Sequence, residues 1–479
     1  MRRTLVALSL LVSTGALAQP AAPTPPPDPA GAADAPPMLP VEAPPPATPP
    51  VAKVEPTPVA VVVVPPPVVV APAAPADGKL DVTFYGFVEL DTIYDSTQGL
   101  NDLAGNNAIA RPGTYTGEHS QTTFGGRNSR FGLKLAEPLT GSTKVTGQME
   151  MDFLGNQPPG ISEAAFWQNP TMRFRHLNVK LETKYIDVLA GQYWQLFGWQ
   201  GLNAPGVVQI QGVPGQVYSR SPQIRFSHKL HFGDAATLEV AVAASRPPQR
   251  ASATPDGHAG VKLSFDKLRA AHTAGATGTS IDAAAIGVSV VGRRFAVDEL
   301  TAAPAKSVKR HGYGLSLDAM LPILPAHGKS RGNALTVQGS FVTGAGIADL
   351  YTGLSGNVSQ PTVMGFTPNI DNGLVEYRAD GTLHAVKWTS ELVGVQYYLP
   401  PSGRVWVSAN ASHLHSKNAH LFGDSAKVFD TQTWFDACLF AAATPAARFG
   451  IEYARTKQTY VDGVDAIDTR LQLSAFLVF

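Results

Sequence analysis

Charged side chains spaced two positions apart are the residues of this chain best suited to chemistry. Glu150 and Asp152 form one such pair, and Arg173 and Arg175 form another. Alternate residues of an extended strand lie on one face, so each pair would present two like charges to the same surface. Fixed charges of this kind select ions, and the planar fork of arginine matches carboxylates. The full set is Glu89, Asp91, Arg130, Lys134, Glu150, Asp152, Arg173, Arg175 and Arg225.

The sequence leaves the arrangement of these charges open. The basic residues could form a positive ladder, which would favour anions. The acidic residues lie on neighbouring strands and could instead face the ladder, which would create a crossed field. Ion pairs between the two groups would also explain the pattern. We expect the positive ladder, and therefore a preference for anions.

Catalytic and metal sites have little support in the sequence. Ser412 lies next to His413, but adjacent residues of a strand point to opposite faces and cannot act together as nucleophile and base. His413 and His415 fall near a predicted external loop, where a membrane boundary explains them better than metal ligation does. We expect no enzymatic activity, no metal and no cofactor.

The charges must be positioned by strands whose two faces differ. Lys144, Glu150 and Asp152 share one parity, whereas Val145 and Met151 share the other. The same alternation recurs in several segments of the chain. Polar residues on one face and apolar residues on the other are typical of a transmembrane barrel with a water-filled interior and a lipid-facing wall.

One segment departs from this alternation. Arg173 and Arg175 share the parity of Leu177 and Val179, which belong on the lipid side. A β-bulge near His176 would bring both arginines to the interior, because an extra residue switches the faces of a strand. We therefore expect either a bulge or a switch of the strand from the lipid side to the lumen side at this point.

The predicted fold class is all-β, a transmembrane antiparallel β-barrel of about 16 strands. Short connections alternate with long ones, as in barrels that have short periplasmic turns and long external loops. The predicted strands cover residues 82–94, 127–137, 142–154, 170–182, 185–193, 221–231, 235–245, 258–265, 281–297, 311–321, 334–348, 383–399, 404–416, 431–444, 448–461 and 467–479.

The composition agrees with an exported all-β protein. The formal net charge is zero and 15% of the residues are charged, which argues against a nucleic-acid partner. Forty-five glycines favour a chain with many turns. The single cysteine, Cys438, excludes an intramolecular disulfide framework, so closure of the sheet must hold the fold together.

The two ends of the chain predict export to the outer membrane of a Gram-negative-type bacterium. Residues 1–18 have the charged, apolar and small-residue parts of a cleaved signal peptide. Residues 19–78 are rich in Pro, Ala and Val and are expected to be a disordered periplasmic segment. Residues 79–479 are expected to form the barrel, with outer-membrane lipid as a partner. The last strand ends on Phe479, as do strands that the outer-membrane barrel assembly machinery recognises.

A long segment after the fifth strand is the candidate constriction. Residues 194–220 are rich in Gly, Gln and Trp and carry almost no charge, so they would narrow a pore while the wall supplies the charge. The alternative is a loop that packs outside the barrel or at a subunit interface. The residues assigned to the constriction are Trp194, Gln195, Trp199, Gln209, Gln211 and Tyr218.

Five stretches resemble the DcaP-type outer-membrane porins. The resemblance implies a homotrimeric porin of sixteen strands, with an inward-folded third external loop and a preference for small negatively charged solutes such as dicarboxylates. The Pro-rich segment differs from the helical periplasmic extension familiar in that family. The resembling stretches are Tyr85-Gly86-Phe87-Val88-Glu89-Leu90-Asp91, Ser129-Arg130-Phe131-Gly132, Arg173-Phe174-Arg175-His176, Gly191-Gln192-Tyr193-Trp194 and residues 215–225.

Two hypotheses of function follow. The leading one is an outer-membrane porin for passive diffusion of small hydrophilic solutes, favouring small anions such as carboxylates and dicarboxylates. The alternative is a structural tether or adhesin, in which the Pro-rich segment contacts the cell wall and the barrel is the anchor. A barrel lipase or protease is disfavoured because no convincing set of serine, histidine and acid is present.

Overall fold

The structure is a computed structural model that describes residues 80–479, except for 140–141, 157–170, 209–211, 250–251, 275–277, 360, 362, 368 and 424–427. The signal peptide expected at residues 1–18 and the Pro/Ala/Val-rich segment expected at 19–78 lie outside the described residues. No helix among the described residues combines the length and the apolar character needed to cross a membrane.

The described chain is built almost entirely of strands. Its helical elements are α1 (Tyr115–Glu118) and two 3₁₀ turns, Ala348–Leu350 and Ala419–Leu421. The strands are β1 (Asp81–Asp95), β2 (Gln121–Gly125), β3 (Arg130–Pro138), β4 (Lys144–Asp152), β5 (Arg173–Glu182), β6 (Asp187–Trp194), β7 (Arg220–Phe232), β8 (Ala236–Ser245), β9 (Asp256–His272), β10 (Ser280–Asp298), β11 (Ser307–Leu324), β12 (Leu335–Ala345), β13 (Val375–Tyr377), β14 (Leu383–Ala385), β15 (Lys387–Tyr398), β16 (Val405–Ser416), β17 (Phe429–Ala442), β18 (Ala447–Tyr460) and β19 (Asp465–Val478).

Strand β1 closes the sheet into a barrel. It pairs antiparallel with the last strand, β19, in a register that runs from Phe87 opposite Val478 to Asp95 opposite Arg470. On its other side, β1 pairs with both β2 and β3, which are therefore two parts of one barrel strand. Strands β13 and β14 form a separate two-stranded sheet, so the barrel has 16 strands.

The fold class predicted from the sequence is confirmed. Each predicted segment overlaps one barrel strand of the structure. Strand β2 was not predicted, since its residues precede the predicted segment 127–137. Strand β9 continues to His272, beyond the predicted end at residue 265. The prediction stopped early because residues 266–269, which are mostly charged, do not follow the apolar alternation on which it depended.

The two faces of the barrel differ as the alternation predicted. Outward-facing Leu177, Val179 and Ile224 are each more than half exposed, with relative exposures of 51%, 55% and 52%. Inward-facing Glu150 and Asp152 are buried. This separation is expected of a wall in contact with lipid, since Arg or Lys at the bilayer midplane costs about 2 to 4 kcal/mol.

Strand β5 contains the bulge expected from its parity. Glu150 lies opposite His176, but the next residue, Met151, lies opposite Phe174. Arg175 is therefore the extra residue, and the strand changes faces at this point. The bulge turns Arg175 to the interior while the residues after His176 continue the normal alternation.

Three long connections between strands are joined to one another. Asn106 N donates to Thr352 O at 2.9 Å, and Tyr218 N donates to Leu350 O at 2.9 Å. The connections are residues 96–120, 195–219 and 346–386. Their apolar residues share one buried cluster that includes Leu100, Ile109, Phe197, Val213, Ile347, Leu350 and Tyr351. Hydrogen bonding and burial together make the three connections a single packed unit.

Candidate functional site

The described residues of the candidate constriction segment, 194–208 and 212–220, lie inside the barrel rather than outside it. The segment leaves the wall at Trp194, the last residue of β6, and returns at Arg220, the first residue of β7. Between these points Phe197 and Val213 are fully buried. The sequence favours this placement, because apolar residues are frequent in the segment and charged ones are almost absent.

Inward-facing polar side chains of the opposite wall hold this segment. Gly198 N donates to Ser289 Oγ of β10 at 2.9 Å, and Val208 N donates to Glu452 Oε2 of β18 at 2.7 Å. Further hydrogen bonds join Asn203 to Ser340, Gly206 to Ser408 and Pro214 to Ser412. The segment therefore covers the inner wall at β10, β12, β16 and β18.

Glycines in the wall make room for Trp199. A Cβ on Gly260 of β9 would lie 3.0 Å from the indole, and a Cβ on Gly287 of β10 would lie 2.6 Å from it. The indole Nε1 donates to Val288 O at 3.0 Å. Trp199 has a φ of 33°, which is uncommon for a residue other than glycine. Close packing and this hydrogen bond fix the side chain against the wall.

The remaining constriction residues have different surroundings. The rings of Trp194 and Tyr218 meet edge to face, with centroids 4.7 Å apart, and Gln195 is buried. These three residues and Trp199 line the cavity described next. The other two residues assigned to the constriction, Gln209 and Gln211, lie outside the described residues.

A cavity of about 1020 Å³ lies between the segment and the wall formed by β3–β9. Its lining is strongly basic, because it contains more than twice as many basic as acidic side chains. The basic residues are Arg130, Lys134, Lys144, Lys180, Arg225, Lys229 and Lys262. The acidic residues are Glu150, Glu239 and Asp282. This is the charge distribution that attracts anions into a pore.

Some of the basic residues in this lining already have acidic partners. Lys180 Nζ lies 2.9 Å from both Glu182 and Asp187, and Lys262 Nζ lies 2.8 Å from Glu239. Within the described part of the chain, four others form no ion pair: Lys134, Lys144, Arg225 and Lys229. These four carry positive charge that a passing solute would meet directly.

Three arginines of the predicted ladder form ion pairs. Arg175 is fully buried and donates to Glu150 Oε1 at 2.8 Å and to Asp152 Oδ2 at 2.7 Å. Arg173 binds the same Asp152 through two nitrogens, at 2.7 and 3.0 Å. Arg130 Nε lies 3.5 Å from Glu150 Oε1. The structure thus combines two of the alternatives. The basic residues form a positive ladder, but part of this ladder is bound in ion pairs.

Arg220 adds a fourth guanidinium, and we call Arg130, Arg173, Arg175 and Arg220 the arginine cluster. Arg220 Cζ lies 4.8 Å from the ring centroid of Trp194 and packs beside Tyr218. Among the described residues no carboxylate pairs with Arg220, and its Nη1 is buried without a hydrogen-bond partner. Among the described residues the cluster contains two carboxylates, Glu150 and Asp152, and therefore a formal excess of positive charge.

The predicted acidic residues of β1 lie away from the cavity. Asp91 accepts hydrogen bonds from Asn128 at 2.8 Å and from Gln472 at 3.0 Å. Glu89 is fully buried, and neither carboxylate lines the cavity. Of the predicted acidic set, Glu150 is the member that reaches the lining. The charged side chains that bound the open space are therefore mainly basic.

Several functional residues were not selected from the sequence. Lys144, Lys180, Lys229 and Lys262 line the cavity, and Arg220 belongs to the arginine cluster. The alternation of polar and apolar residues could have found the lysines, since each has the inward parity of its strand. Arg220 had no such signal, because it lies where the constriction segment meets β7.

No group of three or more His, Cys, Asp or Glu side chains within the described ranges is arranged so that it could hold a metal ion.

Comparisons with known proteins agree with this architecture. A family model described as Gram-negative porin matches residues 59–346, which is more than half of the chain. The outer membrane channel DcaP of Acinetobacter baumannii superimposes with a TM-score of 0.58 and 17% identity, over 84% of this chain and 97% of that one. No curated protein sequence matches the chain.

Two further solved structures are similar with lower scores. An anion-selective porin from Comamonas acidovorans has a TM-score of 0.49 and 12% identity, over 84% of this chain and 100% of that one. A Salmonella typhi OmpF, in complex with daunomycin, has a TM-score of 0.49 and 10% identity, over 83% and 97%.

The family match and the fold lead to the same conclusion. The resemblance to DcaP-type porins stated from the sequence is confirmed at the level of the fold, because the barrel matches along nearly the whole DcaP chain. The family and the fold indicate a channel rather than an enzyme. The chain therefore belongs to the Gram-negative porin family and is an outer-membrane porin.

Proposed function

We propose that this porin mediates passive diffusion of small hydrophilic solutes and favours small anions such as carboxylates and dicarboxylates. The basic lining of the cavity carries this proposal. Lys134, Lys144, Arg225 and Lys229 face the open space without ion-pair partners among the described residues. The carboxylates of Glu89 and Glu452, in contrast, are buried in the wall. A solute in the cavity would thus meet a positive potential.

The constriction segment supports selection by size in the same space. It occupies much of the interior and carries almost no charge, so it would limit the pore diameter while the wall sets the ion preference. Unpaired basic side chains of the lining can form charge-assisted hydrogen bonds with both oxygens of a carboxylate, which a single-atom chloride ion cannot match. Dicarboxylates would therefore be favoured over monovalent inorganic anions of similar size.

The test of this proposal is single-channel conductance in a planar bilayer under a potassium chloride gradient at pH 7. We expect stepwise conductance and a reversal potential whose sign indicates chloride preference. A preference for potassium would indicate that acidic residues such as Glu150, rather than the basic lining, determine the ion selectivity. The absence of conductance from folded protein would rule out the open pore and leave the tether as the better hypothesis.

Solute class is measured separately by swelling of proteoliposomes. We expect faster swelling in a small dicarboxylate such as succinate than in a neutral solute of similar size. Equal rates would contradict a role for the basic lining in solute choice.

The oligomeric state of the porin is also part of this proposal. The homotrimer is implied by the resemblance, and light scattering of the detergent-solubilised protein should give the mass of three chains. Outer-membrane lipid is proposed as a partner because of the apolar outer face of the strands, and the barrel assembly machinery because the last strand ends on Phe479. The signal peptide at residues 1–18 is tested by sequencing the amino terminus of the exported protein, which should begin at residue 19.

A further inference from the structure

Tyr218 lies where the constriction segment, the arginine cluster and the cavity meet. Its phenol oxygen accepts a hydrogen bond from Arg175 Nη2 at 2.8 Å. Arg220 Cζ lies 5.5 Å from the ring centroid, and Trp194 packs against the ring edge to face. The side chain is half-buried and lines the cavity, so its charge would be felt by ions there.

Among the described residues, the charged groups around this phenol are mostly positive, and one further titratable group, His176, lies among them. They come from four strands, and the two carboxylates among them are already bound by arginines. The groups are Arg130 of β3, Glu150 and Asp152 of β4, Arg173, Arg175 and His176 of β5, and Arg220 of β7. The surroundings therefore favour a negative charge on the phenol oxygen.

The acidity of the phenol agrees with this geometry. Burial by itself would raise the pKa of Tyr218, but the positive charges of Arg175, Arg220 and Arg130 outweigh burial and lower the pKa to about 8. An ordinary tyrosine has a pKa near 10. The ionised form is thus reached under mildly alkaline conditions.

We propose that Tyr218 makes the anion preference of this porin depend on pH. The phenol is neutral at pH 7, and the arginine cluster then keeps its full excess of positive charge. Loss of the phenol proton to solvent at higher pH leaves a phenolate that cancels one of these charges. This inference rests on the proposed function, because it concerns the ion preference of the same cavity.

The experiment compares reversal potentials of the full-length protein at pH 7 and pH 9 in the same potassium chloride gradient. We expect the chloride-to-potassium permeability ratio to fall about two- to threefold at pH 9, the effect of one unit charge several ångströms from an ion in water. This range was chosen because ordinary histidines lose their charge near pH 6.5 and lysines near pH 10.4.

Two variants separate Tyr218 from other causes. Tyr218→Phe keeps the ring but cannot ionise, so its permeability ratio should be the same at both pH values. Tyr193→Phe is the matched control, because Tyr193 lines the same cavity with its ring centroid 5.8 Å from Arg225 Cζ. This control should keep the response of the unmodified protein. A response retained in Tyr218→Phe, or missing from the unmodified protein, would overturn the proposal.

A second measurement does not depend on the ion preference. The increase in ultraviolet tyrosinate absorbance between pH 7 and pH 9 should be smaller in Tyr218→Phe than in the unmodified protein by about one tyrosinate, because the other tyrosines contribute equally to both. If the two proteins give the same increase, Tyr218 is not the ionising group. Potassium preference at pH 7 would contradict the proposed function. A further shift towards cations at pH 9 that disappears in Tyr218→Phe would still support this role of Tyr218.

Discussion

At the scale of single residues, ion pairing distinguishes the charged side chains that stabilise the barrel from those that are available to attract ions. Arg175 is fully buried and bonded to Glu150 and Asp152, so its charge is used within the wall. Lys134 and Lys229 line the cavity and form no ion pair among the described residues. Residues of like charge thus have different roles, because their neighbours and their exposure differ.

Replacing the buried guanidinium should destabilise the barrel. Arg175→Met removes a partner from two buried carboxylates, and we expect the free energy of unfolding to fall by about 3 kcal/mol. Urea titration of the detergent-solubilised protein, followed by tryptophan fluorescence, measures this change. Arg173→Met is the control and should have a smaller effect, because the Arg173 side chain is 33% exposed. If both variants lose the same free energy of unfolding, burial of the ion pair does not determine how much it stabilises the barrel.

Removing the unpaired lysines should change selectivity without changing stability. In the double variant Lys134→Gln and Lys229→Gln, we expect the chloride-to-potassium permeability ratio to fall about two- to threefold for each charge removed. Reversal potentials at pH 7 measure the change. The control is Lys457→Gln, because Lys457 lies on the outward face of β18 and does not line the cavity. A similar fall in the control would indicate that overall charge, rather than the lining, sets the preference.

At the scale of elements, the wall strands and the constriction segment fit each other through local departures from a regular strand. The bulge at Arg175 turns that side chain inward. Gly260 and Gly287 leave space on β9 and β10 for Trp199. Both features join separate elements. The bulge in β5 places Arg175 in the arginine cluster, and the two glycines accommodate a side chain from a segment far away in sequence. The position of the constriction therefore depends on the wall behind it.

Filling the space behind Trp199 should narrow the pore. In Gly287→Val, the new side chain must displace the indole, because even a Cβ would lie 2.6 Å from it. The wall prevents movement outward, so the segment moves into the cavity and single-channel conductance falls. Gly292→Val on the same strand is the control, because nothing lies within 4 Å of its Cβ position and it faces outward. Unchanged conductance in Gly287→Val would show that Trp199 does not help to set the pore size.

At the scale of the whole molecule, the barrel closes on itself within residues 81–479. Gly86 and Phe479 exchange two backbone hydrogen bonds of 3.0 Å, which extend the pairing of β1 with β19 to the end of the chain. The rings of Phe84 and Phe479 stack with centroids 5.1 Å apart at the same junction. Closure satisfies the edges of the sheet, which is a requirement for strands in lipid. The sheet thus closes within the described residues.

Deletion of residues 19–78 should leave the pore intact. We expect the single-channel conductance and the reversal potential of the shortened protein to equal those of the full chain, because every residue that lines the cavity is retained. Planar bilayer recordings measure both quantities. Loss of conductance from folded, shortened protein would contradict an independent barrel. Loss of an attachment between the outer membrane and the cell wall, with conductance preserved, would support the tether as a second role.

The sequence by itself determined the strands, their two faces and the bulge. The parity of Arg173 and Arg175 against Leu177 was sufficient to predict a change of face near His176, which the structure contains. These features are local, because the alternation of side chains along a strand has a period of two residues and depends only on neighbours in the chain. The placement of Glu150 and Arg225 towards the interior followed from the same rule.

Only the tertiary structure decided which charges meet. The segment 194–220 covers one inner wall and leaves the basic wall open, and this brings Arg220 and Tyr218 to the arginine cluster. Closure of the barrel also buries Glu89 away from the cavity. These outcomes depend on which strands face each other across the interior. That is set by closure of the whole barrel between β1 and β19, two strands far apart in the chain, whereas the alternation of residue types only assigns each side chain to a face.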